Sequence, residues 1–302
     1  MTPRLAATIA ELKARRNAAI LAHNYQNPEI QDIADLAGDS LELSRKAAAT
    51  DADVIVFCGV HFMAQTAKLL SPQKTVLLPD LYAGCPMADM ITGERMREMR
   101  REHPNAVAVA YVNTTVEVKA EVDVCCTSAN ALKVVETVAR EADEIVFVPD
   151  KNLAHWVARQ TAVHIIPHRG FCPTHAYITP EAVQRSKAQH PDAAFICHPE
   201  CEPEVVDLAD EVLSTSGMLK FAAQTGADEI IVGTEVGLLY PLSKAAPQKR
   251  FYGFDQAVCP NMRKTTLAKV VQALEALEPR IEIQASVADR ARASVERMVQ
   301  IV

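Results

Sequence analysis

No stretch of this sequence is apolar for long. The longest run, Ala106 to Val112, falls far short of the roughly 18 residues a membrane-spanning helix requires, so no membrane partner is expected. The N-terminal segment Met1 to Arg16 is charged and amphipathic. It lacks the apolar region and small-residue cleavage site of a secretory signal, which makes a cytoplasmic location the expectation. A basic stripe is missing too: Lys and Arg are scattered and the net charge is −7, a balance that argues against a nucleic-acid surface. Eight cysteines in a reducing compartment read as free thiols or metal ligands before they read as disulfides. Core material, by contrast, is ample. Of 302 residues, 49% are hydrophobic and 23% charged, the composition of a folded chain.

The cysteines carry the first pattern. Three are followed by proline, Cys85-Pro86, Cys172-Pro173 and Cys259-Pro260, and consecutive members stand 87 residues apart. Other landmarks keep the same register. His23 to Ser40, Tyr111 to Ser128 and His198 to Thr215 are each 17 residues. Asp35, Asp123 and Asp210 each lie five residues before the hydroxyl residue, and Tyr25, Asn113 and Glu200 each lie two after the leading polar one. The chain therefore reads as a unit of about 87 residues repeated three times, with copies at 1–101, 102–188 and 189–274 and a tail, 275–302, packing on the first.

Within each copy, short apolar runs alternate with segments of helical period. Residues 1–17 predict a leading helix with Leu5, Ile9 and Leu12 on one face, and 18–22 a buried strand ending at His23. Pro28 opens a helix carrying Ile30, Ile33 and Leu36 inward to Gly38, and Asp39 or Ser40 caps the next, to about Thr50. Strands at 53–57 and 75–78 flank a helix at 62–70, and a charged helix at 89–101 closes the copy. The second copy has strands at 106–110, 123–126, 143–147 and 163–166 and a helix over 129–140; the third has 193–197, 228–232 and the run Phe251-Tyr252. A strand-like piece at 281–283 and a last helix at 287–302 end the chain. This alternation predicts an α/β fold: three pseudo-threefold-related three-layer α/β/α domains with parallel sheets. Functional groups then gather at the carboxyl ends of the strands. His23, Tyr111 and His198 belong to that edge, and Ser40, Ser128 and Thr215 are expected there as helix caps and anion contacts together.

Such symmetry aims three thiols at one central cavity. Structural zinc sites close with a fourth ligand and show short Cys-x2–4-Cys spacing, which these three cysteines lack. Electron-carrying clusters usually have four cysteines as well. Three thiolates beside a polar cavity point to a 4Fe–4S cluster, one per chain, with one iron open to act on substrate as a Lewis acid. Proline suits the first position of a helix, so each thiolate is expected at a helix N-terminus. Cys58, Cys125, Cys126 and Cys197 read as small buried hydrophobes; Cys201 is left unassigned. Glu200 beside His198 is an acid–base pair by residue type. His175 follows Cys172 by three residues and faces the cluster side, whereas His61, His155, His164 and His168 have no repeat partner and read as structural.

His23-Asn24-Tyr25, Gly38-Asp39-Ser40, Tyr111-Val112-Asn113, Cys125 to Asn130, Cys172-Pro173-Thr174-His175, His198-Pro199-Glu200-Cys201 and Cys259-Pro260-Asn261-Met262 together resemble the quinolinate synthase family, from about residue 17 to the end. The resemblance implies a triplicated fold with a 4Fe–4S cluster on its pseudo-threefold axis. It implies condensation of iminoaspartate (iminosuccinate) with dihydroxyacetone phosphate to quinolinate, with loss of phosphate and water, in de novo NAD synthesis. An L-aspartate oxidase supplying iminoaspartate is then a functional partner. Cys85, Cys172 and Cys259 would hold the cluster, and His23, Ser40, Tyr111, Asn113, Ser128, His198, Glu200 and Thr215 the dicarboxylate. Tyr25, Glu200, His198 and His175 form the catalytic set, with Tyr25 and Glu200 moving protons. Some members carry further cysteines at the third ligand in a Cys-x-x-Cys pattern; Met262 stands there, so no regulatory disulfide is available. From the residues alone, an aconitase-like hydro-lyase and a redox or oxygen sensor with a labile cluster stay open, although repeat-matched polar groups favour an enzyme.

Overall fold

The computed structural model describes residues 2–301. Each copy builds a four-stranded parallel sheet. In the first, β1 (Ala18–His23), β2 (Leu36–Gly38), β3 (Val54–Cys58) and β4 (Thr75–Leu77) lie in the order β2-β1-β3-β4. The second repeats that order with β5 (Val107–Tyr111), β6 (Val124–Cys126), β7 (Glu144–Val148) and β8 (His164–Pro167). The third repeats it with β9 (Ala194–Cys197), β10 (Glu211–Val212), β11 (Glu229–Gly233) and β12 (Arg250–Tyr252). All pairs are parallel. Strand β3 is apolar and buried from end to end, as expected where helices cover both faces. Because the chain leaves each central strand β1, β5 or β9 toward opposite neighbours in turn, the crevice for ligands opens at its carboxyl end. His23 and Tyr111 are the last residues of β1 and β5, and His198 follows β9 directly.

The repeated aspartates explain how β2, β6 and β10 are held so short. Asp35 accepts the Ile20 N–H at 2.7 Å, Asp123 that of Ala108 at 2.8 Å and Asp210 that of Phe195 at 2.7 Å. Their own N–H groups bond the same residues' carbonyls at 2.8–3.0 Å. Each latch fixes where the returning chain meets the central strand. It also corrects the expected helix from Pro28 to Gly38: that helix ends at Ile33, and Leu36–Gly38 pairs with β1 instead.

The helix that closes each copy in sequence packs on the next copy in space. Arg100, on the helix Gly93–Glu102, pairs with Asp123 at 2.9 Å. Ala182 and Val183, on the helix Pro180–Gln189, share a core with Phe195 and Ile231. Leu267, Val270 and Leu274, on the helix Leu267–Ala276, share one with Ile9, Ile20 and Val56. The boundaries 1–101, 102–188 and 189–274 follow the sequence repeat; the packed units are offset from it, and the exchange closes the ring of three.

The tail also departs from expectation. Its first part does join the first unit, with Ile281 donating to the Val76 carbonyl at 2.8 Å. Its helix Ala285–Gln300 instead lies across two units. Ser294 bonds the Lys119 carbonyl (2.8 Å) and Asn130 the Met298 carbonyl (3.3 Å) in the second, while Arg292 donates to Leu69 O (2.9 Å) in the first. Among the described residues no helix is long and apolar enough to cross a membrane. Removing one latch tests the latch itself: Asp210→Ala is expected to lower stability by about 1–2 kcal/mol, read as a fall in the denaturant midpoint. An unchanged midpoint would show that the latch contributes nothing.

Candidate active site

The carboxyl edges of the three sheets meet around a cavity of about 200 Å³. All thirteen candidates from the sequence line it: His23, Tyr25 and Ser40; Tyr111, Asn113 and Ser128; His198, Glu200 and Thr215; His175; and Cys85, Cys172 and Cys259. His61, His155, His164 and His168 lie outside that lining. Cys58, Cys125, Cys126 and Cys197 are fully buried in the core, and Cys201 is buried with its thiol on the Gly233 carbonyl at 3.4 Å.

The hydroxyl layer differs in detail from expectation. Ser40, Ser128 and Thr215 do not cap their helices. Asp39 caps the helix Ser40–Ala49, accepting from the N–H groups of Leu41 and Glu42 at 2.9 Å, and Ser214 caps the helix Thr215–Gln224. At the second site the Asn130 carboxamide accepts the Thr127 N–H at 2.8 Å. At the first and third sites a neighbouring side chain satisfies the helix end, at the second the helix Ala131–Val138 has no side-chain cap, and in all three the hydroxyl is left for the cavity. The cysteine layer differs likewise. Pro173 opens a one-turn helix with Cys172 at its cap position, whereas Pro86 and Pro260 continue turns into the short 3-10 segments Ala88–Met90 and Met262–Lys264. The thiol environment is nonetheless matched. Backbone N–H groups of Met87 and Ala88 point at Cys85, that of His175 at Cys172, and those of Asn261 and Met262 at Cys259. Burial pushes the free Cys85 thiol up to about 12 and the other two above their ordinary value.

Two histidines share one geometry. His23 Nδ1 accepts the Tyr25 N–H at 3.2 Å, and His198 Nδ1 accepts the Glu200 N–H at 3.3 Å. With Nδ1 an acceptor, the proton sits on Nε2. That of His198 faces the Ser128 hydroxyl at 3.1 Å. Burial holds His23 down to about 4 and His198 to about 3, so both are neutral donors near pH 7.

A polar chain crosses the cavity. The Tyr25 hydroxyl meets the Thr234 hydroxyl at 2.5 Å, and Thr234 meets His175 Nε2 at 2.8 Å. His175 Nδ1 lies 2.8 Å from Glu200 Oε2, off the line of a good hydrogen bond, and Tyr111 donates to Glu200 Oε1 at 2.5 Å. Burial alone would raise the Glu200 carboxyl; the His175 ring and the Tyr111 hydroxyl outweigh it and hold the group well below the usual carboxylate range. Tyr25 and Tyr111 are pushed up, chiefly by burial and then by the Glu200 charge, so both phenols keep their protons. Asn113 Oδ1 is buried and, among the described residues, without a partner.

Thr234 was not visible in the sequence, because the positions after β3 and β7 are Gly59 and Pro149 and the repeat supplies no hydroxyl there. Glu235 and Arg263 were also missed. Glu235 accepts the Cys259 N–H at 3.1 Å and pairs with Arg263, which donates to the Tyr25 carbonyl at 2.9 Å. Together they tie the third cysteine loop to the first unit.

A pseudo-threefold ring of parallel α/β units, converging three thiols and a buried acid–base chain on one cavity, defines a class of cavity-centred, metal-competent enzymes. The sequence profile of the family described as quinolinate synthetase A protein matches residues 7–300. Relatives named quinolinate synthase include those of Methanoregula boonei (54% identical over 294 residues, 97% of each chain) and Desulforudis audaxviator (53% over 298 residues, 98% of each). That of Methanosarcina barkeri is 51% identical over 294 residues, 97% of this chain and 96% of the relative. The chain belongs to the quinolinate synthetase A family.

The neutral histidines predict a pH response. In the unfolded chain they titrate near 6.5; in the fold they bind protons only near 4 and 3. Between those values the unfolded state holds more protons, so stability is lost as pH falls below about 6.5. The denaturant midpoint is expected to drop steadily from pH 6.5 to 5, and less so in His23→Asn. A level midpoint over that range would contradict neutral burial.

Proposed function

We propose that this chain is a quinolinate synthase, joining iminoaspartate to dihydroxyacetone phosphate with release of phosphate and water, in NAD biosynthesis. The observation that carries the reading is the convergence of three matched thiols and the Glu200–His175 pair on one cavity. Eight free cysteines support a reducing, cytoplasmic setting, and an L-aspartate oxidase fits as the source of the unstable imine.

The residues present fit a 4Fe–4S cluster on Cys85, Cys172 and Cys259. Three soft donors line one cavity, each already receives backbone N–H groups, and no fourth cysteine lines it among the described residues. A bound cation would also offset the cost that burial places on these thiolates. When bound, such a cluster supplies one iron without a protein ligand, a Lewis acid for a substrate oxygen.

The protein's own groups divide the remaining work. His23 and His198, as neutral Nε2–H donors, and the hydroxyls of Ser40, Ser128 and Thr215 bind carboxylate oxygens, and the Asn113 carboxamide completes that set. The new carbon–carbon bond forms as the enamine carbon displaces phosphate. Proton transfers then move the carbonyl from the middle to the terminal carbon of the three-carbon unit. Ring closure joins the nitrogen to that aldehyde carbon with loss of water, and loss of the remaining hydroxyl as a second water makes the six-membered ring aromatic. Each of these later steps removes a proton from carbon or nitrogen. Glu200, ionised beside His175, is the base that receives it, and the protonated phenol of Tyr25 is the donor to a departing oxygen. His175 and Thr234 link the two ends.

A second reading rests on one observation: donor atoms of Cys172, His175 and Glu200 lie within 4.8 Å of one another, as a single metal ion would need. Metal analysis separates the two. About four irons with matching sulfide per chain are expected; one zinc and no sulfide would replace the cluster with the mononuclear site. Anaerobic protein given iminoaspartate and dihydroxyacetone phosphate should yield quinolinate, and none would end the main proposal. Glu200→Gln should lower kcat by about 10²–10⁴ with iron and sulfide content unchanged; loss of iron in that variant would move Glu200 from proton transfer to metal binding.

A further inference from the structure

A second concavity, of about 470 Å³, abuts the central cavity and shares Asp39 and Ser128 with it. Arg45, Lys133 and Lys220 are part of its wall. Each stands five residues after a cavity hydroxyl, Ser40, Ser128 and Thr215 respectively. One lies on each of the helices Ser40–Ala49, Ala131–Val138 and Thr215–Gln224. The repeat thus places a cation at the same step of three helices facing one space, in a chain whose net charge is −7.

Among the described residues none of these cations is paired with a carboxylate. Lys133 and Lys220 are exposed. Arg45 is half-buried and donates to the Val299 carbonyl at 3.3 Å. The two carboxylates of the same wall are engaged by neutral donors. Asp39 holds the N–H groups of Leu41 and Glu42, while Glu42 Oε2 takes the Asp39 N–H at 3.1 Å and the Ser216 hydroxyl at 2.5 Å. Three like charges facing one concavity repel one another, an arrangement that favours an anion between them.

We infer that this vestibule is an anion-collecting subsite that captures the phosphate-bearing substrate before it reaches the central cavity. The substrate's identity rests on the function proposed above; the subsite itself rests on phosphate chemistry alone. Phosphate is the chemistry favoured because a dianion can be shared among three donors, of which arginine gives a planar fork and lysine a mobile point charge. In the central cavity, no lysine or arginine is present in the lining, so the first encounter with strong positive charge occurs outside it.

The test uses anaerobically prepared holoenzyme and the charge-reversal double variant K133E/K220E. Its control, K46E/R140E, changes net charge equally at exposed sites outside the vestibule lining. Expected is a fall in kcat/KM for dihydroxyacetone phosphate of roughly tenfold or more, carried mainly by KM, with the salt dependence of kcat/KM flattened and K133R/K220R close to wild type. Inorganic phosphate titrated calorimetrically into the enzyme should bind at least tenfold more weakly in K133E/K220E than in the control. Equal phosphate affinity and an equal salt slope in both doubles would overturn the subsite. Enzyme that makes no quinolinate, yet loses phosphate affinity in K133E/K220E, would refute the function proposed above and leave the subsite standing.

Discussion

Burying Glu200 is the constraint on which the centre of this molecule depends. A carboxylate removed from water costs several kcal/mol unless a counter-charge and hydrogen bonds meet it. Here the partners come from different units. His175 and Tyr111 belong to the second copy and Glu200 to the third, and the chain continues through Thr234 to Tyr25 of the first. The third copy supplies no side-chain partner for its own Glu200 carboxylate among the described residues. Satisfaction of the site and closure of the ring are therefore one event, helped by the exchanged outer helices.

The threefold plan and the chemistry pull in different directions. Symmetry provides the matched shell: strand-end polar groups, hydroxyls, thiols, latching aspartates. Catalysis needs unlike neighbours, because proton transfer requires one group that gives and one that takes. The positions two residues past the strand ends show the compromise, with Tyr25, Asn113 and Glu200 supplying a phenol, a carboxamide and a carboxylate. Backbone geometry is kept at these sites, as the paired contacts of His23 and His198 show, while the side chains diverge.

How much of this was legible in the sequence follows from the same division. Whatever the repeat marks three times could be read by spacing, which is why the parallel α/β plan and most cavity-lining candidates were reached from residue numbers, whereas β2, the two-residue β10 and the unrepeated His175 were not. The expected helix through Leu36 failed because helical period in a short apolar stretch cannot register a long-range latch such as Asp35 on Ile20. At the first and third sites the cap lies one residue before the hydroxyl for a local reason: Asp39, already an alternative to Ser40 in the sequence, and Ser214 reach the same N–H groups first. Thr234, Glu235 and Arg263 occur in one copy only, and contacts such as that between Arg263 and Tyr25, 238 positions apart, leave no periodic trace.

The cavity proposed to receive two anions carries Asp39, Glu200 and Glu235 in its lining and neither lysine nor arginine. Its attraction for carboxylates must come from oriented neutral donors, the two Nε2–H groups, three hydroxyls and backbone N–H groups, with the His175 ring 2.8 Å from Glu200. Oriented dipoles bind a carboxylate without locking it in a salt bridge, and in a dry site they act at low dielectric and need little rearrangement as charge shifts. A lysine in the same wall would also depress the acidity balance that keeps Glu200 ionised yet able to accept a proton. Excluding fixed cations from the chemistry and placing them farther along the helices that carry or follow the cavity hydroxyls reconciles capture of anionic substrates with a base that still works.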